Sequence, residues 1–162
     1  ARIKKMKSPR NKCFIFMFSL LMISCSGTND VYNTFLHLPK NGWYKRDVQR
    51  FTPEITDTVS HYDIYLGLRH NDNFDYRNLW LFVTYSSEYG RLKTDTVNCE
   101  LADEFGRWSG SGWGSLYQHE IKLKGNVKYG RSGKKIITVQ QAMRDDMVQG
   151  VADIGIRIVK RP

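Results

Sequence analysis

The ten residues HYDIYLGLRH, His61 to His70, alternate strictly: Tyr62, Ile64, Leu66 and Leu68 share one face, and Asp63, Tyr65, Gly67 and Arg69 the other. Side chains on an extended strand point to opposite faces in turn. The pattern therefore predicts a half-buried β-strand and conflicts with a helix, whose apolar positions recur every three or four residues. The same period returns along the chain. DTVNCELAD sets Val97, Cys99 and Leu101 together, HEIKLKGNV sets Ile121 and Leu123 against Glu120, Lys122 and Lys124, and VADIGIRIVK aligns Ile154, Ile156 and Ile158. LWLFVTYSS is apolar at both parities, which predicts a central strand covered on both faces. HNDNFDYRN, DEFGRW and GRSGKK separate these runs with turn formers. TVQQAMRDDMVQG breaks the rule and reads as a loop or a single helical turn, with Gly150 as its stop. About eight strands spaced by turns predict an all-β chain folded as one antiparallel β-sandwich, jelly-roll-like by first choice and immunoglobulin-like by second.

The first 30 residues follow a different logic. Cys13 to Ile23 is an unbroken apolar run of 11 residues, preceded by Lys7, Arg10 and Lys12, with no acid before Asp30. A bilayer span needs about 20 apolar residues, so the run suits the core of a secretory signal instead. Met6 is a better start than Ala1, and residues 1–5 read as upstream sequence. The run ends in LMISC, which resembles the bacterial lipobox: an apolar residue, a tolerant position, the small Ser24, then Cys25. In such a motif the Cys25 thiol takes a diacylglycerol, the chain is cut before Cys25, and the new amine is acylated. The expected organisation is residues 1–24 as upstream sequence and signal, 25–30 as a lipidated tether, and 31–162 as the sandwich domain. Two or three acyl chains hold a protein firmly where one anchors only marginally.

Processing changes the charge argument. The whole chain has 25 basic and 16 acidic residues, a net charge of +9. Six of the basic residues, Arg2, Lys4, Lys5, Lys7, Arg10 and Lys12, precede Cys25, leaving 19 against 16, or +3. The basic pI belongs largely to the signal, which removes the main reason to expect a nucleic-acid partner. Of the three cysteines, Cys13 leaves with the signal and Cys25 carries lipid, so Cys99 stands alone. Its alternating context makes it a small buried hydrophobe.

Signatures of catalysis are lacking. His37, His61, His70 and His119 do not stand at i, i+4 from one another, and there is no H-E-x-x-H, G-x-S-x-G or Walker loop. His119 and Glu120 are neighbours on a strand, point apart, and read as a surface pair. GSGWG, Gly110 to Gly114, precedes a strand and lacks the lysine and helix terminus that cradle phosphate, so it reads as a free loop. HNDNFDYRN lacks the glycine and terminal glutamate of a calcium loop. The expectation is no enzyme, no metal, and no cofactor other than covalent lipid on Cys25. The aromatics are more informative. Trp108, Trp113 and Tyr117 are candidate contacts for a partner or a glycan, since exposed aromatic platforms on a β-sandwich stack on sugars or proteins.

The lipobox, NGWYKRD, YDIYLGLRHNDNFDYRNLWLFV, DTVNCELADEFGRWSGSGWGSLYQHEI and VQQAMRDDMVQGVADIGIRI occur in an order and spacing that resemble the gliding-motility-associated lipoprotein GldH family of the Bacteroidota. The likeness covers nearly the whole chain, signal included. It implies a cell-envelope lipoprotein that works beside other lipoproteins and the type IX protein-export apparatus. It brings no catalytic or metal residue; only the lipid site transfers, to Cys25. The implied partners are the membrane, through the lipid, and envelope proteins of the motility or secretion machinery. The implied place is the outer membrane, and the near-neutral tether, Ser26 to Asp30, points to its periplasmic side.

Overall fold

The computed structural model describes residues 29–86 and 92–162, so Cys25 and most of the tether lie outside the described residues. In chain order the strands are β1 (Asp30–His37), β2 (Trp43–Tyr44), β3 (Gln49–Phe51), β4 (Glu54–Ile55), β5 (His61–Asn71), β6 (Asn78–Ser86), β7 (Leu92–Glu100), β8 (Ser111–Trp113), β9 (Leu116–Lys128), β10 (Gly133–Lys134), β11 (Ile137–Gln141), β12 (Met147–Val148) and β13 (Val151–Lys160). They form a five-stranded sheet in the order β1-β13-β5-β9-β8 and a four-stranded sheet in the order β3-β11-β6-β7. The short ribbons β10-β4 and β12-β2 stand apart from these sheets. Every pairing is antiparallel. The fold is an all-β sandwich.

Alternation placed the core well. Tyr62, Ile64, Leu66 and Leu68 of β5, Ile154, Ile156 and Ile158 of β13, and Cys99 and Leu101 are all buried, and they join Leu79, Leu81 and Val83 of β6 in one cluster. Trp43, Phe51, Ile55 and Phe74 complete it from short strands and turns that show no period. Burial pushes the Cys99 thiol up to about 12, which leaves it protonated and unreactive near neutrality.

Two strands exchange their expected roles. Alternation predicts a half-buried β5, yet it is the middle strand of its sheet and is covered on both sides. Its outer face is roofed by side chains of β1, β13 and β9. Phe35 lies across Gly155 and Gly67, which pair in register, and a Cβ on Gly67 would come within 2.4 Å of the ring and one on Gly155 within 2.7 Å. The Arg69 guanidinium sits 4.2 Å over the same ring. Arg157 grips Glu120 through two hydrogen bonds of 2.9 Å and Asp30 through a third of 2.9 Å. Lys122 donates to Asp63 at 2.8 Å, and the backbone N–H of Asn126 donates to the same carboxylate at 2.9 Å. Conversely β6, expected to be covered on both faces, leaves Trp80 and Phe82 each 41% exposed, because among the described residues no layer covers the outer face of the four-stranded sheet.

Three local readings are corrected. Thr138 to Gln141 and Met147–Val148 are strand rather than a loop or a single helical turn, with bends between them. Gly150 does stop the segment: it sits at φ +81°, and a Cβ there would lie 2.2 Å from the Phe74 nitrogen. Ser111–Trp113 is a strand hairpinned onto β9, not a free loop. Lys124 turns toward the facing sheet, reaching Asp95 at 2.6 Å, because the register of β5 and β9 shifts at Ile64 and Tyr65.

The Phe35 roof makes a testable demand. Gly67→Val is expected to cost about 1–3 kcal/mol by overpacking, and most of that penalty should vanish in a Phe35→Ala background. Chemical denaturation of the four chains of this double-mutant cycle measures it; strictly additive effects would contradict the contact.

Candidate functional site

At the end of the sandwich where β5 finishes and β9 begins, the chain gathers rings. His70 is the last inward residue of β5, and its register partner is Tyr117. It is fully buried. Trp108 meets it edge-on with centroids 4.5 Å apart, Tyr117 stacks at 5.3 Å, His119 stacks at 5.1 Å, and Phe74 closes the far side at 5.6 Å. Trp108 is brought here by a turn in which the Asp103 carboxylate accepts the backbone N–H groups of Phe105 and Arg107, followed by the bridge Ala102–Trp108.

The two histidines were not singled out as a pair by the sequence. His70 and His119 approach Nε2 to Nε2 at 3.1 Å, and His70 Nδ1 lies 3.3 Å from the Asn71 carbonyl. A carbonyl only accepts, so His70 carries its proton on Nδ1 and accepts at Nε2 from the Nε2–H of His119. Burial lowers the pKa of His70, and burial together with the facing His70 lowers that of His119. The neutral pair is therefore the folded form. His119, read as a surface residue, points inward, whereas Glu120 points out to Arg157 as expected. The signal was present in the alternation, since His70 shares parity with Leu68 and His119 with Ile121. Only the register of β5 on β9 shows that they meet.

Trp108 and Tyr117 are both half-buried and packed into this cluster. Burial and the nearby Asp72 raise the pKa of the Tyr117 phenol. The backbone of Trp113 pairs with Leu116 across the hairpin, and its side chain lies outside the described residues. Among the described residues no three His, Cys, Asp or Glu side chains converge as a metal centre would need. The histidine pair offers two nitrogens already engaged with each other.

A second surface carries two exposed aromatics on a main sheet. Trp80 and Phe82 stand two apart on the outer face of β6, opposite Asn98 and Thr96. Asn78 donates to Asn98 at 2.7 Å, and the Thr84 and Thr94 hydroxyls are 2.8 Å apart. Gln140 flanks Phe82 from β11. Two apolar rings framed by neutral amides and hydroxyls can stack on a flat ligand and hydrogen-bond around its rim.

A family model described as GldH lipoprotein matches residues 30–158. The gliding motility lipoprotein GldH homolog of Christiangramia forsetii is 29% identical over 154 residues, which covers 91% of this chain and 94% of that protein. The gliding motility lipoprotein GldH of Flavobacterium johnsoniae is 25% identical over 159 residues, covering 94% of this chain and 98% of its own length. A solved structure of infectious bursal disease virus Gx strain overlaps 82% of this chain and 30% of its own at 14% identity, with a TM-score of 0.28 that carries no argument about fold.

The histidine pair ties stability to pH. Both rings hold fewer protons folded than unfolded, so stability is intact above the ordinary histidine value of about 6.5 and falls as pH drops below it. Thermal melts between neutral and mildly acidic pH should show that loss, and His119→Gln should flatten it. A melting temperature indifferent to pH across this window would contradict the buried neutral pair.

Proposed function

The chain belongs to the GldH lipoprotein family, and from that membership we propose that it acts as a non-catalytic, lipid-anchored envelope protein. Its role in this reading is to assemble or stabilise a complex of the gliding-motility and type IX secretion machinery. The observation that carries the proposal is the family match from residue 30 to 158, which begins five residues after Cys25 of the lipobox-like stretch. A folded sandwich on a short lipid tether raises the local concentration of the domain for membrane-bound partners. Lipid on Cys25 supplies the anchor, and the sandwich supplies the partner surface. The tether Ser26-Gly27-Thr28-Asn29-Asp30 has one acid, in its last place. Such a run presents no clustered negative charge to a surface-export receptor, which supports a place on the periplasmic side of the outer membrane.

A second reading, carbohydrate binding, is favoured by one observation. Trp80 and Phe82 expose an aromatic pair among amides and hydroxyls, away from the packed cluster of Trp108 and Tyr117. On the periplasmic side such a platform would meet envelope glycans rather than external ones.

Crosslinking in intact envelopes followed by mass spectrometry separates the two. The assembly reading expects motility or secretion components to be captured by the native chain, to be lost with Cys25→Ala, which releases it from the membrane, and to be weakened by Trp80→Ser with Phe82→Ser. Glycan-array binding that disappears in the Trp80→Ser chain, with no protein captured, would overturn it in favour of the carbohydrate reading.

A further inference from the structure

The two ends of the sandwich differ in charge, and the chain enters at one of them. Asn29 lies at the end where β5, β7 and β11 begin and β6, β9 and β13 finish, and its carbonyl accepts the Lys160 N–H at 2.8 Å. We call this end the base. Lys93, Lys128 and Lys134 are exposed there with no carboxylate pair among the described residues. Lys160 and Arg161 join them beside Asn29, around a shallow recess that also takes in Val59, Ser60 and His61. The acids at this end among the described residues each face a cation: Asp30 is bound to Arg157 at 2.9 Å, Asp57 to Lys160 at 2.6 Å, Asp63 to Lys122 at 2.8 Å and Asp95 to Lys124 at 2.6 Å, and Glu54 faces Lys134 across a ribbon. Val59 and Leu92 are 78% and 70% exposed at the same end. The opposite end is close to balanced: its loops carry Asp47, Asp72, Asp75, Asp103, Glu104, Asp145 and Asp146 against Lys40, Lys45, Arg46, Arg77, Arg107 and Arg144, with Arg107 on Asp103 at 2.7 Å and Lys45 3.6 Å from Asp146.

From this arrangement we infer that the base is a membrane-docking face, seated on an anionic lipid surface by its lysines and by the exposed Val59 and Leu92. The inference rests on the reading of Cys25 as the lipid anchor, and the length of the tether supports it. Four residue steps from Cys25 to Asn29 span at most about 14 Å. An eleven-residue strand such as β5 is about 36 Å long. A chain leashed this closely at its base keeps its apex away from the bilayer unless the domain lies on its side. Charges near the bilayer act within a screening length of about 8–10 Å, so the basic end is drawn to anionic headgroups while the balanced end gains little from them.

The base also holds a recess of about 300 Å³ between the sheets. Its walls are apolar, from Ile64, Val127, Tyr129 and Ile137, with Lys124 and Lys135 beside them. The Tyr85 hydroxyl is buried in this region without a hydrogen-bond partner among the described residues. A free donor and ammonium groups next to hydrocarbon match the chemistry of the headgroup boundary, where phosphate oxygens meet acyl chains.

Lysine footprinting of the processed, lipidated chain tests the inference. The chain is placed in vesicles of phosphatidylcholine with and without phosphatidylglycerol, and amine acetylation is followed by mass spectrometry. Lys93, Lys128 and Lys134 should be labelled several-fold more slowly than apical Lys40 in the anionic vesicles. The difference should shrink without phosphatidylglycerol and at high salt. A chain with Lys128→Glu and Lys134→Glu, checked by its melting temperature to be folded, should lose the protection at Lys93. Equal labelling at both ends in anionic vesicles, on chains whose Cys25 peptide carries the lipid mass, overturns the inference. If that peptide carries no lipid, the anchor reading fails instead. The face is then judged by adding phosphatidylglycerol vesicles to the same chain: protection of Lys128 and Lys134 supports it and its absence refutes it.

Discussion

Phe35 lying across Gly67 and Gly155 settles how the larger sheet is built. A two-layer sandwich would ordinarily leave the outer face of its middle strand in water. Here the two paired glycines lower the floor, the ring fills it, and Arg69 caps the ring from above. The Arg157–Glu120–Asp30 and Lys122–Asp63 contacts continue the roof along the sheet. Exposed ion pairs add little singly, but this set draws β1, β13, β5 and β9 into one register. That register brings Asn29 down to the same end as Lys128 and Lys160, and so decides which end of the domain would sit beside the proposed lipid anchor.

The three remaining surfaces divide by chemistry. The base is basic with two exposed aliphatic side chains. The apex carries mixed, nearly balanced charge outside and holds a neutral histidine pair inside, walled by Trp108, Tyr117 and Phe74. The four-stranded sheet presents Trp80 and Phe82 sideways. A leashed domain seated on its base would leave the apex and this lateral face for partners. The apical cluster behaves as structure: its rings pack on one another, and the two facing histidine nitrogens are engaged with each other. The lateral face holds the exposed aromatic pair on a main sheet, which is why the proposed partner contact is placed there and not at Trp108.

Much of this was legible in the sequence because a half-buried strand writes its core face directly into the residue order. β13 and β7 were read residue by residue, as were the inner face of β5 and the solitary, buried Cys99. What failed did so for reasons that live outside a single strand. The outer face of β5 looked solvated because Asp63 and Arg69 are charged, but their partners lie on neighbouring strands. β6 looked doubly buried because Trp80 and Phe82 are apolar, although no layer of the described residues packs over them. His70 and His119 lie 49 residues apart, and only strand register brings them together. Trp43, Phe51 and Ile55 sit on strands of two or three residues, too short to show a period.

The orientation of the domain is the claim on which the account turns, and paired spin labels measure it directly. Cys99 is buried and Cys25 carries the lipid in this account, so a cysteine placed at Val59 or at Glu104 labels cleanly. Val59→Cys and Glu104→Cys chains, reconstituted with their lipid in anionic vesicles, are compared by collision with oxygen and with a water-soluble nickel chelate. The account predicts that the label at 59 favours oxygen, as at the headgroup boundary, and that the label at 104 favours the chelate. A label at 104 that senses the bilayer, or one at 59 as accessible to the chelate as its counterpart, would contradict it.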